Sequence, residues 1–253
     1  ATQDGLQILD ISNSSDPQII TNGTLSFGEQ ARDIELVDSY AYIAVGNAFK
    51  IVDVSDQSNP FEESDLFLDE TIEAVHKSSD SDIFYAIGNN HIFKIDVTDP
   101  SNPSKLNSWP TNNGRDILTY KDNICALDAK SLNIMYPAIT QGQDLALGQS
   151  SFADTIYDLK IKGDFAYLTQ YNWSAGLKIV DISNPSDPQD ISSLDVDYGR
   201  GLDIQGDYAF VGNNYDNLFI IDISYPENPE KISQIDVNGD PYGIKVKGDY
   251  AYL

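Results

Sequence analysis

The three arginines of this 253-residue chain, Arg32, Arg115 and Arg200, stand at one position of an internal repeat. Tyr157 and Tyr242 align there too, with Ile72 as an approximate match in one further copy. Arginine presents a rigid fork of donors that suits carboxylates and phosphates, and tyrosine adds an aromatic face with a hydroxyl. Such a set is the chemistry of a pocket for an anionic or sugar-like ligand, with Asp33, Asp116, Asp154 and Asp158 as counter-charges. The plainer reading is that these arginines neutralise a crowded acidic channel and hold the repeats in register, because buried charges need partners. Two loops between repeat elements are longer and aromatic: 170–175, with Tyr171 and Trp173, and 213–216, with Tyr215. Insertions on one face of a repeat array often form its binding surface. These rings would serve as a stacking platform for sugar or as anchors for a protein, the alternative being packing against the next repeat.

Other chemistry is thinly represented. An Asp recurs inside an Ile-Val-Asp-Ile-Ser motif, directly before a Ser or Thr and a Pro-rich turn. A carboxylate there accepts turn N–H groups, so we read it as a structural latch and not as a catalytic acid. Calcium wants about six to eight oxygen ligands; the Asp/Asn-rich loops could supply them, though no EF-hand spacing is present and no other cofactor is expected. His76 and His91 are the two histidines, and neither accompanies a zinc motif or a nucleophile motif. Glycosidase chemistry needs only two carboxylates, so a carbohydrate hydrolase or lyase stays open as an alternative.

The elements that must position these residues are the repeats themselves. The motif is centred on Asp10, Asp53, Asp96, Asp181 and Asp222, with a worn copy at Tyr136. The steps are 43, 43, 40, 45 and 41, and the step from Asp222 across the two ends to Asp10 is 41. A period near 40 built of strand-like segments marks a β-propeller blade. Each copy also carries an aromatic motif, such as Gly-Asp-Phe-Ala-Tyr-Leu at 163–168, preceded by alternating residues such as Leu159-Lys160-Ile161. Alternation predicts a half-buried strand A, Gly-Asp a hairpin turn, and the aromatic run strand B. Strand C carries the apolar column Leu6, Phe49, Ile92, Leu132, Leu177 and Leu218, and a Pro-rich turn then leads to a short strand D such as 189–194. The expectation is an all-β, six-bladed propeller forming a single domain over 1–253, its last blade closed by strands from both termini. Leu253 joined to Ala1 continues the repeat without a gap. That join falls inside a strand, and without an initiator Met or signal peptide the chain reads as a processed, cropped or permuted piece.

Forty acidic against fifteen basic residues give a net charge of −25. This disfavours nucleic acid and anionic membrane surfaces and favours solubility, cation binding or a saline or extracellular setting. Much of the acid is Asp, as turns require. Cys125 is alone, which excludes an intramolecular disulfide, and no apolar run is long enough for a transmembrane helix. Sequons at Asn13, Asn22 and Asn172 occur by chance too often to carry weight.

The tandem Gly-Leu-x-Ile-Val-Asp-Ile-Ser-x-Pro-x-x-Pro and Gly-Asp-Tyr-Ala-Tyr elements resemble the LVIVD-repeat family of propeller proteins over essentially the whole chain, the copy at Tyr136 departing from them. The resemblance implies a secreted or cell-surface bacterial or archaeal protein, generally without an assigned enzymatic activity. The reading is therefore a monomeric extracellular binding or adhesion module. A protein or carbohydrate ligand is expected on the face carrying Arg32, Arg115, Arg200, Tyr157, Tyr242, Tyr171, Trp173 and Tyr215. A structural spacer within a larger surface protein is the third alternative.

Overall fold

The alternating runs become strands and the Gly/Asp and Pro-rich intervals become turns. The computed structural model describes residues 5–10, 18–79, 82–136, 146–237, 243–248 and 250–252. Among these there is no helix, and so none long and apolar enough to cross a membrane. The expected join of the two ends lies outside the described residues. The chain divides into two units, Ala1–Thr119 and Tyr120–Leu253.

In the first unit, β1 (Gly5–Asp10) pairs antiparallel with β2 (Gln18–Ser26). Then β3 (Ala31–Val37), β4 (Tyr40–Val45), β5 (Ala48–Asp53) and β6 (Phe61–Phe67) form a four-stranded meander in chain order. A second meander follows from β7 (Ile72–Lys77), β8 (Ile83–Gly88), β9 (His91–Asp96) and β10 (Ser104–Pro110), and β11 (Gly114–Tyr120) runs to the unit boundary. The second unit opens with β12 (Asn123–Asp128), β13 (Ser131–Met135) and β14 (Ala146–Ser151), neighbours in that order. Two complete meanders come next: β15 (Ile156–Lys162), β16 (Phe165–Gln170), β17 (Leu177–Asp181) and β18 (Gln189–Leu194), then β19 (Gly199–Gln205), β20 (Tyr208–Asn213), β21 (Asn217–Asp222) and β22 (Glu230–Asp236). The pair β23 (Lys245–Lys247) and β24 (Tyr250–Tyr252) ends the chain. Strand β18 has the bounds expected for a D strand.

The A–B turns follow their residue types. Lys162 pairs with Phe165 across Gly163-Asp164, and Gly163 sits at φ 59°. Positive φ at the first loop position alone is the type II′ pattern, whose twist matches the strands. Asp38 and Lys121 take the same place at φ 53° without glycine's freedom. At the other end of the four complete meanders β3–β6, β7–β10, β15–β18 and β19–β22 the repeated Asp is the latch expected. Asp53, Asp96, Asp181 and Asp222 accept the N–H of Ser55, Thr98, Ser183 and Ser224 at 2.7–2.9 Å. Hydrogen bonds from the Ser or Thr hydroxyl and this N–H hold the carboxyls of Asp53, Asp96 and Asp222 below their ordinary range.

Packing is face to face between neighbouring sheets. In the first unit Tyr42 stacks on Phe84 at 4.1 Å beside Phe49, Ile51, Phe93 and Ile95. In the second, Tyr167, Leu177 and Ile179 meet Leu202, Ala209 and Phe219. The predicted apolar column is buried in all six copies, from Leu6 to Leu218. Each such side chain contributes about 1.5–3 kcal/mol. Cys125 lies in this interior, where burial pushes its thiol up to about 12, so it takes no part in thiolate chemistry.

Each four-stranded sheet leaves its first strand at an edge, and an edge strand has N–H groups without a strand to receive them. Carboxylates of the preceding A strand fill that role. Asp33 Oδ2 accepts Val75 N and Asp158 Oδ2 accepts Leu202 N, both at 2.9 Å. Two residues along, Glu35 Oε2 accepts Lys77 N and Asp203 Oδ2 accepts Val246 N, both at 2.7 Å. Part of the acidic excess is thus structural.

Candidate functional site

The arginine position of the repeat is a β-bulge. Ala31 pairs with Val45 and Asp33 with Ala44, which leaves Arg32 without a ladder partner. The same shift skips Glu73 in β7, Tyr157 in β15, and Arg200 with Gly201 in β19. A bulge re-aims a side chain without breaking the strand. Register also corrects one alignment. Ile72 pairs with Gly88 as Ala31 pairs with Val45, so Glu73, not Ile72, is the counterpart of Arg32.

The bulged residues meet different surroundings. In the first unit Arg32 Nη1 contacts Glu73 Oε2 at 3.3 Å, an ion pair between residues at the same repeat position. Arg115 is half-buried, and its Nε is shielded from solvent with no hydrogen-bond partner among the described residues. In the second unit the guanidinium of Arg200 lies 3.8 Å from the centre of the Tyr157 ring and 5.5 Å from that of Tyr171. Its Nε donates to Asn214 Oδ1 at 2.7 Å. Around this stacked cation runs a row of tyrosines. Tyr157 meets Tyr171 at 6.2 Å, Tyr171 meets Tyr198 at 4.6 Å, and Tyr198 meets Tyr215 at 5.6 Å, at mutual tilts of 78°, 44° and 65°. Tyr171 and Tyr215 are exposed, at 44% and 59%. Trp173 stands out further, at 68%.

Local chemistry explains why the row holds. In the second unit the last residue of β12, β16 and β20 is a buried polar group that ties its loop. Gln170 Nε2 donates to Ala175 O. Asn213 Oδ1 accepts the N–H groups of Tyr215 and Asn217 at 2.9 and 3.1 Å. Asp128 Oδ1 does the same for Lys130 and Ser131. Asn213 Nδ2 is buried and has no partner among the described residues. Tyr171 N donates to Thr155 O, and Tyr198 N to Asn172 O. Asp197 and Tyr198 both adopt positive φ, 45° and 59°, which is uncommon for side chains of this size and stores strain beside the row. Beneath it Gly199 approaches Gly176 so closely that a Cβ on Gly199 would lie 2.4 Å from Gly176 O. Burial, then the neighbouring Tyr198, Tyr171 and Asp197, raise the Tyr215 hydroxyl above its ordinary range, so it stays protonated.

Of the residues singled out by sequence, the second unit brings together Tyr157, Tyr171, Arg200 and Tyr215. Trp173 shares the Tyr171 loop, Arg32 and Arg115 belong to the first unit, and Tyr242 lies outside the described residues. Sequence reasoning missed Tyr198, although it stands two residues before Arg200, as well as the roles of Asn213 and Asn214.

Two cavities are present among the described residues, the second beside the Tyr171 loop. One of about 230 Å³ in the first unit is lined by Glu70, Asn90, His91, Phe93, Lys105 and Ser108 among others, with His91 Nδ1 2.9 Å from Glu70 Oε1. Another of about 290 Å³ in the second unit includes Asp154, Gln170, Asn172, Lys178 and Asp190. His76 faces Glu35 at 3.3 Å and Thr119 at 3.3 Å. Among the described residues no group of three or more His, Cys, Asp and Glu is placed to hold a metal ion.

A model of the LVIVD repeat matches residues 1–23, 28–65, 156–196, 198–237 and 238–253. No curated protein matches the chain in sequence. Among solved structures, a Bacteroides uniformis protein assigned as a 6-phosphogluconolactonase is similar at TM-score 0.80, 11% identity, over 95% of this chain and 80% of that one. The periplasmic gluconolactonase of Pseudomonas aeruginosa is similar at TM-score 0.74, 12% identity, over 92% and 77%. The β-propeller domain of Cps50 (Swd1) from Myceliophteria thermophila is similar at TM-score 0.69, 12% identity, over 87% and 77%. At these identities the likeness is one of fold, and the fold is that of a β-propeller.

Proposed function

Because the chain belongs to the LVIVD-repeat family, whose propeller fold by itself assigns no chemistry, we propose from the site that it is a non-enzymatic binding module. Its ligand surface is the tyrosine row of the second unit. The observation that supports this most is the unbroken contact from Tyr157 through Tyr171 and Tyr198 to Tyr215, half of it exposed, over an arginine already fixed by Asn214. A solvent-facing aromatic row on strained, hydrogen-bonded loops is costly to maintain, and it leaves ring surface open to a ligand. Trp173, on the Tyr171 loop, extends the surface; Arg32 and Arg115 share the repeat position of Arg200 in the sequence. The six repeat steps support a ring of six blades with the sixth shared between the ends. The acidic charge and the family resemblance support an extracellular or cell-surface setting and a protein or carbohydrate partner.

A hydrolase is the second reading, favoured by the two lactonases among the structural neighbours. One experiment separates the two. Tryptophan and tyrosine fluorescence of the wild type and of Trp173→Ala is followed against saccharides and peptides, with turnover of sugar lactones and polysaccharides measured in parallel. Ligand-dependent quenching that is weakened in Trp173→Ala, without turnover, is the expected result. Turnover on any of these substrates would replace the binding module with the hydrolase.

A further inference from the structure

Resting on that reading of the tyrosine row, we infer that its occupant is a neutral oligosaccharide laid along successive rings. Adjacent ring centres are 4.6, 5.6 and 6.2 Å apart, comparable to the spacing of successive sugar rings in an extended hexose chain. The tilts let neighbouring rings offer face and edge in turn, which suits the alternating C–H and hydroxyl surfaces of a glycan.

The side chains between the rings are short and polar. Asn172 and Asn214 border the row, and Asp154 and Asp197 stand beside them, Asp154 accepting from Asn172 Nδ2 at 2.5 Å. The aliphatic neighbours Ile156, Val196 and Leu218 are all buried. The loops therefore present aromatic faces and amides without an aliphatic patch, where a protein interface would want a dry apolar centre ringed by polar groups.

Charge selects among glycans. Asp154, Asp195 and Asp197 flank the row, and the guanidinium of Arg200 lies on the Tyr157 face. The whole chain carries −25. A polyanionic glycan would meet this field unfavourably, whereas an uncharged one is indifferent to it.

The test is a calorimetric titration of the full chain with cello- and malto-oligosaccharides of one to six units, and with oligogalacturonates of the same lengths. The double variant Tyr171→Ala/Tyr215→Ala is titrated alongside; both rings are exposed, so its melting temperature should match the wild type. In one neutral series, affinity should rise by about tenfold between the mono- and tetrasaccharide and then level off, and the double variant should lose that gain. Binding of oligogalacturonate alone, abolished in the double variant, would overturn the ligand class while leaving the surface in place. Neutral-sugar binding that the double variant retains would overturn the tyrosine row itself as the ligand surface. Absence of binding by every sugar, with the peptide quenching described above intact, would overturn the carbohydrate assignment.

Discussion

Arg32 and Arg200 occupy the same repeat position, in the same β-bulge, and do different things. Arg32 faces Glu73 across neighbouring A strands and makes a half-exposed ion pair. Arg200 lies on Tyr157, donates to Asn214 and supports a row of aromatic rings. The scaffold that presents the two is common: a bulged first strand, a left-handed A–B turn and an Asp latch after strand C. What differs is the neighbouring residue at that position, Glu73 against Tyr157, and the loops. The short loop 46–47 follows β4, whereas β16 is followed by 171–176 with Tyr171 and Trp173. In a repeat fold the blade supplies position and the loop supplies chemistry, so one arginine position makes an ion pair in one place and a stacked cation in another.

The largest expected effect lies beneath that difference. Gly199 and Ala31 share a register position, each pairing with the last residue of its B strand. Ala31 carries a methyl group, but one on Gly199 would sit 2.4 Å from the carbonyl oxygen of Gly176. Backbone cannot yield as a flexible side chain does, so Gly199→Ala should destabilise by about 1–3 kcal/mol and displace the Tyr171 loop. Urea unfolding measures the first effect, and near-ultraviolet circular dichroism, sensitive to coupled tyrosines, measures the second. A variant of wild-type stability would mean that the close approach does not set the platform.

A middle-sized effect comes from the arginines themselves. Arg200→Ala removes a cation stacked at 3.8 Å and a hydrogen bond to Asn214, together about 1–2 kcal/mol. Arg32→Ala removes a partly exposed ion pair, about 0–1 kcal/mol after solvent screening. Salt sharpens the contrast. Near 1 M salt the Debye length shrinks to about 3 Å, so the Arg32 penalty should vanish while that of Arg200 largely persists. Thermal melts of both variants at low and high salt test this. Equal salt sensitivity would place the two arginines in the same structural role.

The sequence foretold the scaffold better than the site, for physical reasons. Strand order, the latch at Asp53, Asp96, Asp181 and Asp222, and the apolar column follow from period-two alternation and turn chemistry, which are local. The convergence of Tyr157, Tyr171, Arg200 and Tyr215 was half legible, because repeat alignment brings equivalent positions to one end of the blades. Tyr198 was not, since its place depends on two consecutive residues in left-handed backbone, a conformation that Asp197 and Tyr198 do not advertise. Nor was Glu73, because a bulge shifts the count by one residue and only pairing register reveals it. The carboxylate bonds from Asp33, Asp158, Glu35 and Asp203 to the next edge strand were equally hidden, as the acceptor and its N–H lie about forty residues apart.

The smallest effect concerns those edge bonds, and it again contrasts the two units. Glu35 in the first and Asp203 in the second accept the corresponding N–H of the next A strand, from Lys77 and Val246. Burial alone would raise the Glu35 carboxyl. The His76 hydrogen bond and charge and the Lys77 N–H outweigh it, and the net shift is downward. A carboxyl whose folded-state pKa is lowered stabilises the fold above its ordinary value of 4.5, and that contribution fades as pH falls through the lower folded-state value. Glu35→Gln retains an oxygen for Lys77 N but has no proton to gain. The variant should therefore be less stable than wild type near pH 6 and converge with it as pH falls through the lowered folded-state value. Urea midpoints at intervals from pH 6 to pH 3 would trace the convergence. If the gap between the two proteins stayed constant across that range, the Glu35 bond would act through shape and not through charge. Stitching one edge strand to the next would then depend on acceptor geometry alone, a role that an amide fills as well as an acid.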